Sequence, residues 1–270
     1  MYRGRFGIIA GIRRALAALR SPPSLTTEAP PTSDAPAPNW QDLRGAYERH
    51  AAGLLDTLPQ KDAMEAAIGG GFDETGQIEV EILQHYGLKP GDYLIDVGCG
   101  SGRLAKPLSR DHTGPYLGID VVESFLAYAR DLVSREDWRF EQVSHIEIPE
   151  ADGVADCVCF FSVFTHLLHE QSYWYLQEAQ RVLRPGGLVV FSTLEFGEPA
   201  HWRTFIETVN LSRAQADAPL NVFLGRDIIP IWAAALGMEV VDLQPADALI
   251  SPRGHLGQAV CVLRKVESGR

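Results

Sequence analysis

The sequence lacks any run of 18 consecutive apolar residues, so no transmembrane helix of the usual length is predicted. It is also poor in positive charge. There are 24 lysines and arginines against 35 aspartates and glutamates, which gives a formal net charge of −11. Proteins bind nucleic-acid backbones through clustered lysine and arginine. A nucleic acid is therefore not predicted as the main partner.

Cysteine is scarce too, with four residues and no C-x-x-C pair, which argues against the usual zinc and dithiol motifs. We interpret all four thiols as small hydrophobic side chains in a reducing compartment. Near the start of the chain the longest apolar run, FGIIAGI, has seven residues and is closed by Arg13 and Arg14. Such a run is short for a secretory signal. The sequence thus predicts a cytoplasmic protein.

The first 38 residues form a segment of unusual composition. Residues 1–20 contain five arginines and no acid, and residues 21–38 contain six of the 17 prolines. The proline-rich stretch is typical of an extended linker. The basic stretch has apolar residues at helical spacing, which permits an interfacial helix and peripheral membrane contact, with a simple basic tail as the alternative. Those apolar residues are Ile8, Ile12, Leu16 and Leu19.

Residues 39–90 are predicted to form an N-terminal helical cap. Helical patterns occur in WQDLRGAYERHAAGLLDTL from Trp40, in KDAMEAAI, and in QIEVEILQHYGL, which closes near Pro90. The glycine-rich GGGFDETG at 69–76 is predicted to be a loop between helices.

Residues 91–265 alternate between strand-like and helix-like segments, which is typical of a mostly parallel sheet covered on both faces. The last two strand-like runs have no long helix between them, so we expect them to pair antiparallel at an edge. The predicted fold class is α/β, a Rossmann-like doubly wound sheet of seven strands with N-terminal helices. The strand-like runs are 93–97, 116–119, 139–143, 155–161, 187–193, 238–243 and 258–264.

The stretch LIDVGCGSGRLAKPL at 94–108 places a glycine at every second position after a short strand. Gly98, Gly100 and Gly102 would let the backbone turn sharply and approach a ligand at the carboxyl end of that strand. A helix beginning near Ser101 would point its free N–H groups at the same ligand.

Three residues around this loop indicate the type of ligand. Dinucleotide sites use G-x-G-x-x-G, and the third glycine is replaced here by Arg103, which disfavours an NAD-dependent oxidoreductase. Asp96 suits a ligand with a cationic ammonium group, contacted directly or through water. Asp120 ends the strand YLGID and can accept hydrogen bonds from a ribose, with capping of the next helix as the alternative.

Four segments in order resemble the class I S-adenosylmethionine-dependent methyltransferases, over about residues 79–264. LIDVGCGSG is similar to the family's D-x-G-x-G-x-G loop, and YLGIDVVESFLAYAR to its second strand with the terminal acid. ADCVCFFSVFTHL is similar to the fourth strand, and RVLRPGGLVVFSTL to the helix, turn and fifth strand that follow. The resemblance implies S-adenosylmethionine as cofactor and methyl transfer as activity.

The resemblance also implies roles for individual residues. Asp120 would hold the ribose, and Val121 would pack on the adenine. Many members have an aspartate after the third strand that accepts from the adenine amino group. Ser144 stands at that position here and is expected to accept the bond. The residues implied around the methionine moiety are Asp96, Gly98, Gly100 and Gly102.

His166, in FFSVFTHLLHE after the fourth strand, is the candidate general base, since imidazole titrates near working pH. The alternative is a histidine that only braces the following helix. His166, His169 and Glu170 match no metal-ligand spacing, so no metal is predicted.

The acceptor is predicted to be a small molecule that receives the methyl group on oxygen or nitrogen. Its pocket is expected from the N-terminal helices, with Trp40 and Tyr47, and from the insertion after the fifth strand, with His201 and Trp202. The alternative function is a non-catalytic S-adenosylmethionine-binding protein.

Overall fold

The structure, a computed structural model, describes residues 40–69, 71–214 and 220–266. The basic segment and proline-rich linker predicted at 1–38, with their proposed membrane contact, lie outside the described residues. Trp40 begins the first described helix, but its side chain also lies outside them. Within the described part, no helix is long and apolar enough to cross a membrane.

A seven-stranded sheet forms the centre of the fold, in the order β3-β2-β1-β4-β5-β7-β6. The first five strands pair in parallel, and β7 pairs antiparallel with both β5 and β6. The predicted parallel sheet with an antiparallel edge is thus confirmed. The strands are β1 Leu94–Val97, β2 Tyr116–Asp120, β3 Arg139–Gln142, β4 Ala155–Phe160, β5 Leu183–Thr193, β6 Met238–Gln244 and β7 Ala259–Lys265.

The described helices precede the sheet, connect its strands and lie on its faces. They are α1 Trp40–Leu55, α2 Gln60–Ala67, α3 Phe72–His85, α4 Ala105–Leu108, α5 Glu123–Val133, α6 His169–Val182, α7 Pro199–Arg213 and α8 Ile228–Ala235.

Two boundaries predicted from the sequence are wrong. The loop predicted at 69–76 ends early, because α3 begins at Phe72 with Asp73 and Glu74 in its first turn. Acidic side chains there stabilise the positive end of the helix dipole. The helix expected near Ser101 begins only at Ala105 and has four residues. Gly102 has φ +91°, which is incompatible with a right-handed helix at that position.

Alternate residues of β1 face opposite sides of the sheet. Leu94 belongs to one apolar cluster and Ile95 to the other, and neither is exposed. Both faces are therefore covered, as expected for strands that are joined by crossover helices. A third cluster includes Met64 of α2 and Phe125 of α5. It packs the N-terminal helices against the segment that follows β2, at the carboxyl end of the parallel strands.

Candidate cofactor and acceptor site

The glycine loop after β1 lies between the ends of β2 and β4. The N–H groups of Gly98 and Cys99 both donate to Ile119 O, at 2.8 and 3.1 Å. Gly98 has φ +72°, and a Cβ at this position would lie 2.5 Å from Val163 Cγ2. Only glycine combines this left-handed conformation with so close a neighbour. Gly100 and Gly102 also have positive φ, +54° and +91°.

Asp120 is held directly beside this loop. Its Oδ2 accepts from Gly100 N and its Oδ1 from Val122 N, both at 2.9 Å. Burial raises the pKa of the carboxyl, although the backbone hydrogen bonds oppose that shift. Each carboxylate oxygen can accept a second hydrogen bond. Val122 is itself the N-cap residue of α5, without a side-chain cap hydrogen bond, so Asp120 orders the turn before that helix, and its contact with a ribose stays a prediction.

Asp96 is 3% exposed and bonded to core side chains. Its Oδ2 accepts from the Tyr116 hydroxyl at 2.7 Å, and its Oδ1 from the Cys159 thiol at 3.6 Å. Burial raises the pKa of this carboxyl to about 7. The carboxyl thus supports β1 from within the sheet, and its contact with an ammonium group stays a prediction.

The N-terminal helices are tied to the glycine loop by two polar side chains. Ser101 Oγ donates to Met64 O at 2.9 Å. Arg103, the residue that departs from the dinucleotide pattern, pairs with buried Glu79 of α3 at 2.7 Å and donates to Ile68 O at 3.1 Å. The guanidinium is engaged by the cap, so position 103 serves to join the loop to α2 and α3.

The two residues predicted to contact adenine flank Asp120. Val121 is half-buried and packs against the apolar clusters on either side of it. Ser144 follows β3, and Val143 N donates to Asp120 O at 3.0 Å, which brings the ends of β2 and β3 together. The Ser144 hydroxyl is exposed and lies 3.2 Å from His145 Nδ1.

His166 lies in the turn after β4. Its Nδ1 is 2.8 Å from Leu220 O. A carbonyl oxygen only accepts, so Nδ1 carries a proton, and in the neutral ring Nε2 then carries a lone pair. Burial lowers the pKa of this imidazole, which favours its neutral form. The ring of Tyr47 from α1 packs against it. Burial, and secondarily the negative charge of Asp120, raise the pKa of the Tyr47 hydroxyl. Tyr47 therefore links the Asp120 side of the site to His166.

A pocket of about 310 Å³ opens beside His166, at the carboxyl ends of β4 and β5. The polar residues that line it are Thr165, His166, His201, Thr204, Asn221 and Gln258. His201, predicted for this region, is buried and lines the pocket. Trp202 is 48% exposed, packs on Phe205, and is not among the described lining residues.

One wall of the pocket depends on residues that the sequence analysis missed. Ser192 Oγ accepts from Ser162 N at 2.8 Å and donates to Gln258 Oε1 at 2.7 Å. Gln258 Nε2 then donates to Ser162 Oγ at 3.0 Å. Ser162 has φ +60°, an uncommon value outside glycine that this network holds in place. The only available sequence signal was the polar residue that directly precedes the apolar run of β7.

No group of three or more histidine, cysteine, aspartate or glutamate side chains within the described ranges is arranged to hold a metal ion. His169, close to His166 in sequence, instead has its Nε2 3.1 Å from Phe223 O.

Comparison with known proteins identifies the family to which the chain belongs. The family model described as "Methyltransferase domain" matches residues 95–191, which include the glycine loop, Asp120 and His166. A malonyl-(acyl-carrier protein) O-methyltransferase of Yersinia pestis is 31% identical over 218 residues, 76% of this chain and 75% of that protein. The chain belongs to the class I S-adenosylmethionine-dependent methyltransferases. Its cofactor is accordingly S-adenosylmethionine, and the NAD-dependent oxidoreductase alternative is set aside.

Two further comparisons concern a second methyltransferase sequence and a solved structure of similar fold. A malonyl-(acyl-carrier protein) O-methyltransferase of Serratia marcescens is 28% identical over 59% of this chain, and the match spans only 55% of that relative. The solved structure of the cyclase SpnF has a TM-score of 0.59 at 19% identity, covering 86% of this chain and 98% of that one. The methyltransferase fold therefore also occurs in a protein named for another reaction.

Proposed function

We propose that the chain transfers a methyl group from S-adenosylmethionine to an oxygen or nitrogen atom of a small molecule in the pocket beside His166. The observation that carries this proposal is the state of His166. Its Nδ1 is fixed on Leu220 O, its Nε2 is free to accept a proton, and its ring lines the pocket. The pocket lies at the carboxyl edge of the sheet, where the glycine loop and Asp120 also lie.

The residues around the loop fit the cofactor. Gly98, Gly100 and Gly102 keep the backbone free of Cβ atoms, and the Asp120 carboxylate has acceptor capacity left for ribose hydroxyls. Val121 and Ser144 would bind the adenine. Asp96 is bonded to Tyr116 and Cys159 in the core and would reach the ammonium group through water. When bound, S-adenosylmethionine supplies an electrophilic methyl group on a sulfonium centre.

His166 supplies the base that a hydroxyl acceptor needs. Its Nε2 would take the proton that the acceptor oxygen loses as the new O–CH₃ bond forms. The bond from Nδ1 to Leu220 O and the packing of Tyr47 hold the ring in one orientation, so most of the catalysis is alignment. The Yersinia and Serratia relatives are both named O-methyltransferases, which supports oxygen as the acceptor atom. The malonyl group in those names offers a carboxylate oxygen, for which the described lining of this pocket presents no cation.

The test combines binding with transfer. S-adenosylhomocysteine, the demethylated product, is titrated into the chain by calorimetry, and methyl-labelled S-adenosylmethionine is then incubated with the chain and small-molecule extracts. We expect binding, and a labelled methyl ether, ester or amine by mass spectrometry. Binding without any labelled product would favour the non-catalytic cofactor-binding alternative. Label found only on protein would show that the acceptor is not a small molecule. A cytoplasmic location and membrane contact through residues 1–20 stay predictions from the sequence.

A further inference from the structure

We propose that the pocket beside His166 takes an uncharged, hydroxyl-bearing acceptor and discriminates against carboxylates. The inference rests on the proposed function, because it names the acceptor class for that same pocket. It is carried by the hydrogen bonding of the described lining residues, none of which presents a cation.

Both imidazoles in the lining favour the neutral form, His166 because burial lowers its pKa and His201 because its Nδ1 accepts a hydrogen bond. His166 donates from Nδ1 to Leu220 O and keeps a lone pair on Nε2. His201 Nδ1 accepts from Glu195 N at 2.9 Å, and its Nε2 donates to Gly257 O at 2.9 Å. A backbone N–H can only donate, so Nδ1 of His201 carries no proton. Neither ring therefore presents a positive charge to a bound ligand.

The remaining lining groups are neutral as well. The Thr165 hydroxyl donates to Ser162 O at 2.9 Å, and Asn221 Nδ2 donates to Thr208 Oγ1 at 2.9 Å. These bonds leave the Thr165 oxygen and the Asn221 carbonyl oxygen as acceptors for a ligand hydroxyl. Thr204 and Gln258 have polar side chains without charge, and the other described lining residues, Leu194, Ala200 and Gly257, have no polar side chain.

The ion pair that adjoins the pocket does not supply a free cation. Arg226 binds both carboxylate oxygens of Glu195, at 3.1 and 2.8 Å, and neither residue is among the described lining. A carboxylate entering the pocket would thus lose water without gaining a counter-charge from the described lining.

This difference decides the substrate class. An ionised carboxylate moved from water to a site without a cation pays a large desolvation penalty, whereas a hydroxyl can both donate and accept there. A hydroxyl acceptor also has a proton for His166 Nε2 to remove. An ionised carboxylate has none, so it would leave the oriented base without a role.

The test compares two probes of the same size, benzyl alcohol and benzoate. Each is titrated at pH 8 into chain saturated with S-adenosylhomocysteine, and binding is followed by NMR of ¹⁵N-labelled histidine side chains. The signals of His166 and His201 are assigned with the His166→Gln and His201→Gln variants. We expect benzyl alcohol to shift both signals with a Kd about tenfold or more below that of benzoate.

A charge-insertion pair provides the matched control. Thr204→Lys adds one positive charge inside the pocket, and Asn210→Lys adds one on the exposed side of the same helix, α7. Thr204→Lys should reverse the preference in favour of benzoate. Asn210→Lys should leave it unchanged, which would exclude a general effect of net charge.

Three outcomes overturn the inference. They are benzoate binding as tightly as benzyl alcohol in the parent chain, neither probe shifting the His166 and His201 signals, and Asn210→Lys matching Thr204→Lys. Failure of S-adenosylhomocysteine to bind would instead count against the proposed function. The two probes would then be compared on the chain alone, so the pocket's preference is still measured.

Discussion

The rings of Tyr47 and His166 meet edge to face, with centroids 5.8 Å apart and planes at 80°. This contact joins α1 of the N-terminal helices to the turn after β4, more than a hundred residues later in the chain. The other side of the imidazole is fixed by Leu220 O. Two segments that are remote in sequence therefore hold the candidate base, and neither belongs to the motifs by which the family is recognised.

Replacing His166 distinguishes its role as general base from a structural role in bracing the following helix. His166→Gln should lower turnover by about 10²–10⁴-fold while leaving the affinity for S-adenosylhomocysteine nearly unchanged. His169→Gln is the matched control, because His169 also binds a carbonyl of the same segment, Phe223 O, without being among the pocket's lining residues. Turnover and Tm are measured on both variants. Equal losses of Tm with turnover kept would assign His166 a structural role.

The pH dependence of the reaction rate should show the ionisation of His166. Burial lowers the pKa of His166, and the active form is the neutral one. The rate should therefore rise with pH through an ionisation below the ordinary histidine value of about 6.5, and stay level above it. His166→Gln should remove that ionisation. A parent profile that is flat across this range would contradict the role of general base for a hydroxyl acceptor.

Asp120 should control cofactor affinity. Asp120→Ala removes the acceptors for Gly100 N and Val122 N together with those proposed for the ribose, and should weaken S-adenosylhomocysteine binding by roughly 1–3 kcal/mol. Glu123→Ala is the control, because Glu123 is a carboxylate three residues later that pairs with Arg130 at the surface. Calorimetry measures both variants. An unchanged Kd for Asp120→Ala would show that its carboxylate only orders the glycine loop and the turn before α5.

The close approach of Gly98 to Val163 should appear as a coupling energy. Gly153 has φ +69°, close to the +72° of Gly98, but a Cβ there would meet nothing within 4 Å. Gly153→Ala should thus cost only the backbone strain, about 1–2 kcal/mol. Gly98→Ala should cost more, and combining it with Val163→Ala should recover part of the excess. Urea unfolding of the four variants measures this, and strict additivity would show that the two side chains do not compete.

The buried carboxyl of Asp96 predicts a pH dependence of stability. Its pKa in the folded chain is about 7, against about 3.9 when unfolded. Between these values the folded state holds a proton that the unfolded state has lost, so the free energy of unfolding should fall as pH rises from about 4 to 7. Asp96→Asn should flatten this slope in urea unfolding. An identical slope in the variant would assign the dependence to other groups.

The same variant tests the predicted ammonium contact of Asp96. Calorimetry with S-adenosylhomocysteine gives its affinity for Asp96→Asn at neutral pH. A loss of about tenfold or more supports the contact, since hydrogen bonds to charged groups are worth about 1.5–3 kcal/mol. An unchanged affinity would limit Asp96 to its bonds with Tyr116 and Cys159.

The mostly parallel sheet with its antiparallel edge and the placement of the glycine loop were predictable from the sequence because they follow local rules. Alternation of apolar runs with helical segments predicts a parallel sheet. In such a sheet ligands bind at the carboxyl ends of the strands, so the position of the loop follows. Asp120 could be placed because it ends a strand. The start of α3 at Phe72 was missed because three glycines before it resemble a loop, while the acidic first turn is a weaker signal.

The pocket could not be predicted because it depends on contacts between remote segments. Thr165 and Gln258 are ordinary polar residues, and nothing in their neighbours distinguishes them from surface positions. They line one pocket only because β4 and β7 both pair with β5. For the same reason the sequence singled out Trp202, which is largely exposed, and missed Gln258.

The position of β7 between β5 and β6 has a consequence for how the protein is made. The ribosome synthesises β7 after every other strand of this sheet, yet the strand occupies an interior position, and Val260, Val262 and Leu263 are at most 1% exposed. Until β7 is made, the strand edges of β5 and β6 that it later joins have no partner in the sheet. Unpaired edges of this kind attract other chains. We therefore expect chains in which β7 has not yet paired to aggregate more readily than the complete fold, although their cofactor loop is already made.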